Sequence, residues 1–460
     1  MNDNIILLAD GYKYSHYNQL PPKTTFVYSY FSARSNHKLH PNMNKVLFFG
    51  LQYIMKRYLE GQVITREKID NAKQIINKYY NRDVFNLEGW EYILNVHNGK
   101  LPIEIKALEE SSLVDIGIPL FVVYNTDEKS AWLTSFIETL LVQSWYPTTV
   151  ATYSYYCREL IKKYIEETCE NLDGLDYKLH DFGMRGVSSM ESAAIGGAAH
   201  SLNFAGSDTT NVIEFINEYY RFSNSETSIQ ITTIPAMEHS TVTTWKNESE
   251  AYLNMLKQYP KGTIACVSDS YDIFNACENI WGKELKNKVE NRNGCVVIRP
   301  DSGDPVETVL KVLNILGDKF GYKINSKGFK VLNDKIRIIQ GDGINYISLG
   351  KIMDNMKLSR WSIDNIFFGM GGALLQNHTR DDFSFALKCS YMEIDGVGHP
   401  VSKNPVGDPG KKSKSGKFVV VKNDWGYSVF SAENTKIYDF NCLKTVFWNG
   451  KIIKSIEIDN

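Results

Sequence analysis

The sequence lacks any apolar run that is long enough to cross a membrane. A spanning helix needs about 20 mostly apolar residues, and no stretch of the 460 residues approaches that length. The opening residues, MNDNIILLADGYK, carry neither the basic region nor the small-residue cleavage site of a secretory signal. We therefore expect a cytoplasmic protein with no membrane partner.

Cysteine is also scarce, and its spacing excludes two kinds of site. The seven cysteines are scattered and form no C-x-x-C pair; they are Cys157, Cys169, Cys266, Cys277, Cys295, Cys389 and Cys442. The nine histidines show no H-E-x-x-H or H-x-H spacing. These patterns argue against a disulfide framework and against a zinc site, and they predict free thiols in a reducing compartment.

Neither sign of charge is in clear excess. Lysine and arginine number 51, aspartate and glutamate number 53, and the formal net charge is -2. This balance argues against a protein that is held to nucleic acid mainly by its overall field, so we expect no nucleic-acid partner. A local basic patch remains compatible with it, because net charge does not report where the charges lie.

The middle of the chain repeats a strand–loop–helix rhythm. Its apolar runs end in polar or glycine-containing turns: YKLHDFGMRG, IQITTIPAMEHS, TIACVSDSYD, CVVIRPDSGDP, IRIIQGDG and NIFFGMGG. The runs are almost continuously apolar, as in strands that are covered on both faces. About six such units predict an α/β barrel or a doubly wound sheet.

The two ends of the chain are richer in strand patterns. TTFVYSYFSAR, LPIEIKALEE and IPLFVVYNTD lie near the start, and FALKCSYMEI, GKFVVVKN and the Asn-Gly hairpin signal in FWNGKI lie near the end. EKIDNAKQIINKYY and SAWLTSFIETLLVQSWY have helical spacing. We predict a β-rich α+β domain built from both termini, residues 1–170 together with 385–460, and a barrel-like α/β domain, residues 171–384.

Polar residues and glycines collect at the ends of the predicted central strands. They are Asp181, Arg185, His239, Asp269, Arg299, Asp301, Asp342 and the turn Gly369–Gly372. In a barrel, the loops after the strands converge on one face, which carries the chemistry. The sequence therefore predicts a site on that face.

Several of these motifs have two interpretations. GMGGALL is either a phosphate cradle at a helix start or a tight left-handed turn. Asp342 in QGDG either binds ribose hydroxyls or caps the next helix. Arg299 and Asp301 in RPDSGDP either serve a phosphate and a sugar hydroxyl or Mg²⁺, or form an internal ion pair.

Three further motifs are equally open. Phe182 and Arg185 in HDFGMRG offer a stacking face and an anion partner, or they are a core phenylalanine and a surface arginine. His239, beside Glu238, is either a structural histidine or a base or nucleophile. The basic loop DPGKKSKSGK is either a solvated loop or a polyphosphate contact.

Taken together and in order, the motifs resemble the nicotinamide phosphoribosyltransferase family. They cover almost the whole chain: ADGYKYSHY, VYSYFSAR, FFGLQYI, LVQSWYP, NLDGLDYKLHDFGMRGVSS, PAMEHST, VSDSYDI, IRPDSG, QGDG, GGALLQ, TRD, KCSY and DPGKKSKSGK. The resemblance implies an irregular α/β barrel. It also implies transfer of phosphoribosyl from phosphoribosyl pyrophosphate to nicotinamide in NAD salvage, with Mg²⁺ and with ATP as co-substrate. Members act as homodimers with sites at the subunit interface.

The resemblance also assigns roles to residues. Phe182 and the partner subunit's Tyr12, with Asp10 beside it, would stack on the nicotinamide ring, and Asp208 would accept the amide N–H. Contacts to ribose and phosphate would come from Arg185, Arg299, Asp301, Gly341, Asp342, Gly371, Gly372 and Arg380. Arg34, Lys388 and Lys411 would contact polyphosphate, and His239 would be phosphorylated by ATP. The expected catalytic residues are His239, Arg299 and Asp301; the metal ligands are unknown.

Two rival functions remain at this point. A nicotinate or quinolinate phosphoribosyltransferase would share the phosphate residues, but the Asp208 carboxylate would repel an anionic base. A non-catalytic binding protein would keep the fold without the activity.

Overall fold

The computed structural model describes residues 4–221, 231–405, 407, 413–433 and 439–457. Lys411, one of the predicted polyphosphate contacts, lies outside these residues. A search of the described helices finds none whose length and apolar character would let it cross a membrane. The chain forms two compact units: unit 1 comprises Met1–Thr152, Ile216–Ser225 and Thr379–Asp459, and unit 2 comprises Tyr153–Phe215 and Glu226–His378.

Unit 1 is built on an antiparallel sheet whose strands come from both ends of the chain. Its strands are β1 (Thr24–Ser32), β2 (Lys45–Leu47), β3 (Ile103–Ala107), β4 (Leu113–Asp115), β5 (Phe121–Asn125), β13 (Ala386–Ile394), β14 (Val397–Pro400), β15 (Phe418–Asn423), β16 (Gly426–Ser431), β17 (Lys444–Trp448) and β18 (Lys451–Ile452). Seven of them pair in the order β14-β13-β1-β5-β3-β17-β18. The β-rich domain predicted from both termini is therefore confirmed.

Stacked aromatic side chains form part of the core beside this sheet. Phe31 lies between Phe121 and Phe385, with ring centroids 4.8 and 5.3 Å apart. All three rings are buried, and stacked pairs of this kind add to the free energy of burial. The predicted Asn-Gly hairpin is also present: Asn449 (φ 46°) and Gly450 (φ 79°) connect β17 to β18 in the left-handed conformation that such turns require.

Unit 2 contains a parallel sheet of five short strands. These are β6 (Leu179–Asp181), β7 (Ile264–Val267), β8 (Val296–Arg299), β11 (Ile336–Gln340) and β12 (Ile366–Met370), in the order β6-β12-β11-β8-β7, with a separate hairpin of β9 (Tyr322–Ile324) and β10 (Lys330–Leu332). The four residues of β7 are all buried, as the continuous apolar runs predicted.

Single bridges between residues close this sheet into a barrel. Asp181 bridges Ser207, Gly206 bridges Thr232, and Ala236 bridges Ala265 at the start of β7. We call the two segments that make these bridges, 205–208 and 231–237, the bridged arc. The choice between a doubly wound sheet and a barrel is thus decided for an irregular barrel, in which the bridged arc replaces regular strands.

Fifteen α-helical segments accompany the sheets in the described part of the chain. They are α1 (Leu51–Ile54), α2 (Arg66–Tyr80), α3 (Leu87–Val96), α4 (Ala131–Phe136), α5 (Glu138–Val142), α6 (Trp145–Thr168), α7 (Met190–Ser201), α8 (Asn211–Tyr219), α9 (His239–Thr243), α10 (Glu248–Gln258), α11 (Ile273–Asn275), α12 (Lys286–Glu290), α13 (Pro305–Phe320), α14 (Tyr346–Leu358) and α15 (Gly372–Leu375). α2 matches the helix predicted from EKIDNAKQIINKYY.

The compact units begin and end at other residues than the predicted domains, 1–170 with 385–460 and 171–384. The single helix α6 contributes residues to both units, and the end of α8 belongs to unit 1. Since a continuous helix contains no linker signal, the sequence gives no sign of either change. The predicted division into these two domains stays a prediction.

Candidate active site

The predicted site residues of unit 2 follow consecutive parts of the barrel. Phe182 follows β6, Asp301 follows β8, and Gly371 follows β12. Asp208 ends one segment of the bridged arc, and His239 begins α9 directly after the other. Because parallel strands point in one direction, all of these residues lie at the carboxyl edge, where barrel enzymes place their chemistry.

The Phe182 ring packs closely against two glycines, Gly369 and Gly341. A Cβ atom on Gly369 would lie 2.1 Å from Cε2 of the Phe182 ring, and one on Gly341 would lie 3.1 Å from it. The ring also packs against the buried Ala265 and Val297 of the barrel interior. Phe182 nevertheless stays only partly buried, so it is neither a simple core residue nor a surface one, and part of its ring can stack on a flat molecule.

The glycine turn after β12 is not left-handed. Gly369, Gly371 and Gly372 are absent from the glycines with positive φ, so the tight-turn interpretation is wrong. Gly371 and Gly372 are only partly buried, and a Cβ on Gly186, next to Arg185, would lie 3.7 Å from the Gly372 nitrogen. The exposed Arg185 is therefore attached beside the glycine turn, where it can share an anion with the backbone.

His239 belongs to a network of four side chains, with Asp269, Asp301 and Ser302. Its Nε2 lies 3.0 Å from Oδ1 of Asp269, and its Nδ1 lies 3.9 Å from Oδ2 of Asp301. The other Asp269 oxygen accepts hydrogen bonds from the Asp301 N–H at 2.9 Å and from the Ser302 hydroxyl at 2.6 Å. Asp269 thus ties the His239 helix to the loop after β8.

Asp269 is held as a carboxylate. Burial alone would raise its pKa, but hydrogen bonds from Ser302, His239 and the Asp301 N–H outweigh that effect and hold the pKa below its ordinary value. Its side chain is 3% exposed, whereas that of His239 is 45% exposed. The histidine therefore has an ionised partner on its inner side and an open approach on its outer side.

Arg299 and Asp301 form the internal pair that was one of the two interpretations. Nη2 of Arg299 donates to Oδ2 of Asp301 at 3.3 Å. Yet the buried Nε of Arg299 has no hydrogen-bond partner among the described residues, and Asp301 keeps 28% of its side chain exposed. Since the Nε donor of Arg299 and part of the Asp301 carboxylate remain unused in this pair, both residues can also bind a ligand.

Asp208 and Asp342 both face solvent. The Thr233 hydroxyl, in the bridged arc, donates to the Asp208 carboxylate. Asp342 does not cap the following helix, because the cap of α14 is Asn345. Both carboxylates therefore remain available as acceptors at the carboxyl edge.

Three of the predicted residues of unit 1, Arg34, Arg380 and Lys388, lie together with Lys403. Arg34 donates from Nε to the Ser384 carbonyl at 2.8 Å. Burial lowers the pKa of Lys388, Glu138 opposes this, and the charges of Arg34, Lys403 and Arg380 lower it further. We call Arg34, Arg380, Lys388 and Lys403 the cation cluster; so many neighbouring cations suit a polyphosphate.

Tyr12 lies near this cluster. It is 59% exposed. Its pKa is raised by burial and by the charges of Glu138 and Asp10, and it is lowered by Arg380. Asp10 is fixed by a hydrogen bond of 2.8 Å from the Thr139 hydroxyl. An aromatic ring this exposed can contact another molecule.

Comparisons with known proteins agree over the full length. Residues 177–451 match the nicotinate phosphoribosyltransferase (NAPRTase) family, and residues 4–105 match the N-terminal domain of nicotinamide phosphoribosyltransferase. A nicotinamide phosphoribosyltransferase of Xanthomonas campestris pv. campestris is 42% identical over 99% of this chain and 97% of its own length. One of Acinetobacter baylyi is 31% identical over 99% and 96%. The chain belongs to the nicotinamide phosphoribosyltransferase family.

Membership of the nicotinamide phosphoribosyltransferase family makes the chain a pentosyltransferase, as predicted, and argues against a binding protein without activity. Two solved structures share its fold. Nicotinate-nucleotide pyrophosphorylase from Pyrococcus furiosus has a TM-score of 0.63 at 15% identity, over 99% of this chain and 92% of that one. Human nicotinic acid phosphoribosyltransferase has 0.57 at 15% identity, over 98% and 91%.

Four residues of this family member belong with the site although the sequence assigned none of them a role. Asp269 and Asp181 follow the strand-end rule that found the others, so their position was the available signal. Lys403 and Thr233 gave none, because only folding brings Lys403 to Lys388 and Thr233 to Asp208. No group of three or more His, Cys, Asp and Glu side chains within the described ranges could hold a metal ion.

Proposed function

We propose that this protein transfers the phosphoribosyl group of phosphoribosyl pyrophosphate to the ring nitrogen of nicotinamide. The products are nicotinamide mononucleotide and pyrophosphate, in the salvage of NAD. Family membership carries this proposal, with a full-length relative of that name at 42% identity. The carboxyl edge of the barrel supports it with an aromatic face, exposed carboxylates, arginines and a glycine turn.

Base recognition rests on Phe182 and Asp208. The Phe182 ring stacks on the pyridine ring, and the Asp208 carboxylate accepts the amide N–H. The same carboxylate repels the carboxylate of nicotinate, which favours nicotinamide over that base. The stacked ring presents its nitrogen to the anomeric carbon, so orientation supplies part of the rate.

Sugar and phosphate recognition use the remaining strand ends. Asp342 and Gly341 contact the ribose, Gly371 and Gly372 hold the 5′-phosphate, and Arg185 binds beside them. Arg299 takes the pyrophosphate and Asp301 lies close to the reacting carbon. The C–N bond forms as the C–O bond breaks, and pyrophosphate leaves with the electron pair, so positive charge that develops on the sugar is stabilised by carboxylate.

Mg²⁺ fits this site only together with its substrate. Because no metal-ligand group is present among the described side chains, the ion would be held mainly by phosphate oxygens, with Asp301 as the protein carboxylate at hand. When bound, it neutralises charge on the departing pyrophosphate. Arg299 serves the same end from the protein side.

ATP is proposed as a co-substrate that phosphorylates His239. Asp269 accepts only as a carboxylate, so it places the proton on Nε2 and leaves the lone pair on Nδ1. Nδ1 attacks the γ-phosphorus, the bond to ADP breaks, and water later removes the phosphoryl group. The phosphorylated state would favour phosphoribosyl pyrophosphate binding through its added charge and bound cation.

We further propose a homodimer in which each site takes residues from both copies. Tyr12 and the cation cluster of one copy would complete the other copy's barrel site. The exposure of Tyr12 and the close grouping of Arg34, Arg380 and Lys388 support this arrangement. Lys411 would join them from residues that the structure does not describe.

The deciding experiment measures nicotinamide mononucleotide and pyrophosphate with nicotinamide, phosphoribosyl pyrophosphate and Mg²⁺, and again with nicotinate. We expect product from nicotinamide and at least about tenfold less kcat/KM for nicotinate. Asp208→Asn should remove most of this preference, whereas the exposed Asp173→Asn, away from the site, should keep it. Equal use of both bases by the unchanged protein would replace the proposed substrate, and no product from either would refute the transfer reaction.

A further inference from the structure

Asp181 is a buried carboxylate to which the proposed reaction assigns no role. It is the last residue of β6, directly before Phe182, and it is 0% exposed. No ion-pair partner within 4 Å of it is found among the described residues. A buried carboxylate costs free energy unless hydrogen bonds compensate it, so the groups that it bonds indicate what it is for.

Those groups belong to both base-binding segments. One Asp181 oxygen accepts the Gly183 N–H at 2.7 Å, immediately after Phe182. The other accepts the Ser207 hydroxyl at 3.3 Å, immediately before Asp208. The Asp208 N–H also donates to the Asp181 carbonyl at 2.9 Å. One residue thus fastens the stacking ring and the amide acceptor to each other.

Helix α7 packs directly against the Asp181 carboxylate. A Cβ on Gly197, in α7, would lie 3.2 Å from Oδ2 of Asp181 and 2.2 Å from Cγ2 of Val212. Because glycine has no side chain, the helix can approach the carboxylate closely at this position. The Asp181 side chain is therefore enclosed among the Gly183 N–H, the Ser207 hydroxyl and the side chain of Thr209.

Asp181 and Asp208 also affect each other electrostatically. Burial raises the pKa of Asp181 to about 6, and the charge of Asp208 acts in the same direction while hydrogen bonds oppose it. Above that pH, Asp181 is mostly ionised, and a second negative charge lies behind the exposed carboxylate that would meet the base.

We propose that Asp181 is a positioning residue that sets base selectivity. Its hydrogen bonds fix Asp208 relative to Phe182, and its charge adds to the repulsion of an anionic base. The inference rests on the proposed function, because it assumes that these two residues receive nicotinamide. It adds a residue that touches no substrate and yet decides which base is accepted.

Two variants separate the two effects. Asp181→Asn keeps an oxygen for the Gly183 N–H and removes the charge, whereas Asp181→Ala removes both. The matched control is Glu110→Gln, which neutralises another buried, hydrogen-bonded carboxylate, in unit 1. The KM values for nicotinamide and phosphoribosyl pyrophosphate, kcat, and the inhibition constant of nicotinate would be measured at pH 8.

We expect Asp181→Asn to lower the inhibition constant of nicotinate relative to the KM of nicotinamide by about tenfold, a typical effect of one charged partner. Asp181→Ala should also raise the KM of nicotinamide about tenfold. The KM of phosphoribosyl pyrophosphate should stay within about twofold in both, as should every constant of Glu110→Gln.

The outcomes distinguish this inference from the proposed function. A wild-type protein that makes no mononucleotide refutes the function itself. An active wild type whose Asp181 variants both keep the nicotinate-to-nicotinamide ratio within twofold overturns only the role of Asp181. An equal rise in the KM of phosphoribosyl pyrophosphate would overturn it too, since that marks a general structural defect. If Asp181→Ala lacks the wild-type circular dichroism spectrum, Asp181→Asn decides alone.

Discussion

At the scale of single residues, neighbours decide what a side chain can do. His239 has the Asp269 carboxylate at 3.0 Å from one ring nitrogen, and 45% of its side chain is exposed. The same imidazole on an apolar helix face would be a structural residue. The partner Asp269, and not the histidine itself, therefore carries the case for a phosphorylated His239.

His239→Ala should abolish ATP hydrolysis while leaving synthesis without ATP measurable, because the transfer reaction needs no covalent enzyme intermediate. ATP hydrolysis would be followed by ADP release, and synthesis by mononucleotide formation with and without ATP. His399→Ala, an exposed histidine on β14, is the control and should keep both. Undiminished ATP hydrolysis in His239→Ala would contradict the phosphohistidine.

The sequence alone placed several of the candidate site residues at one edge of the barrel, and the reason is geometric. Phe182, Arg299 and Gly371 each end or follow a strand-like run, so position along the chain was enough to place them at one edge. Asp208 follows no such run and was assigned only from the family resemblance. The contact between Asp181 and Ser207 joins residues 26 positions apart. No periodic pattern connects these two residues, so their contact required the closed barrel.

At the scale of elements, a buried acid replaces an ordinary helix cap. α1 follows Gly50, whose N–H donates to Glu110 at 2.7 Å, and the Gln52 N–H donates at 2.6 Å. The Tyr220 hydroxyl adds a third hydrogen bond at 3.0 Å. Burial raises the pKa of Glu110 to about 7 against these hydrogen bonds, because the charge lies far from water.

This shift predicts a pH dependence of stability. The unfolded chain loses the Glu110 proton near its ordinary pKa of 4.5, and the folded chain keeps it until about 7. The stabilisation that comes from the Glu110 proton is therefore greatest below pH 4.5 and is lost as the pH rises to about 7. The free energy of unfolding falls by roughly 3 kcal/mol over this range.

Urea unfolding of the wild type and of Glu110→Gln at pH 5 and pH 8 measures the effect. The glutamine variant does not titrate, so the wild type should lose about 2–3 kcal/mol more than the variant between these pH values. Glu248→Gln, at another largely buried acid, tests whether replacing any buried acid would give the same result as Glu110→Gln. Parallel losses in wild type and Glu110→Gln would show that Glu110 does not titrate in this range.

Element boundaries show where local patterns stop being informative. SAWLTSFIETLLVQSWY reads as one helix, but it forms α4 and α5 and enters α6. Pro147 lies in the first turn of α6, where its missing N–H costs no hydrogen bond, and a new helix begins there. Apolar spacing continues through both breaks, so periodicity alone could not find them.

At the scale of the whole molecule, both the number of copies and the barrel matter. Unit 2 holds Phe182 and His239, and unit 1 holds Tyr12 and the cation cluster. If each site draws on two copies, a dimer of two different variants collects both defects in one of its sites and leaves the other site intact.

Tyr12→Ala and Phe182→Ala proteins, each inactive alone, should regain activity when they form mixed dimers. One of the two sites then has both aromatic residues intact, so a purified mixed dimer should reach up to about half of the wild-type rate. Dimers would be isolated with two different tags, and differently tagged dimers of one variant are the control. Verified mixed dimers that stay inactive would rule out shared sites.

Backbone hydrogen bonding is uneven around this barrel, because the bridged arc replaces regular strands on one side. Arg299, Gly341 and Gly371 lie at the ends of strands whose neighbours are hydrogen-bonded along their length. Asp208 and Thr233, by contrast, lie in segments joined through single bridges. Substitutions there break no ladder, so the proposed contacts to the base could change while the proposed contacts to sugar and phosphate stay as they are.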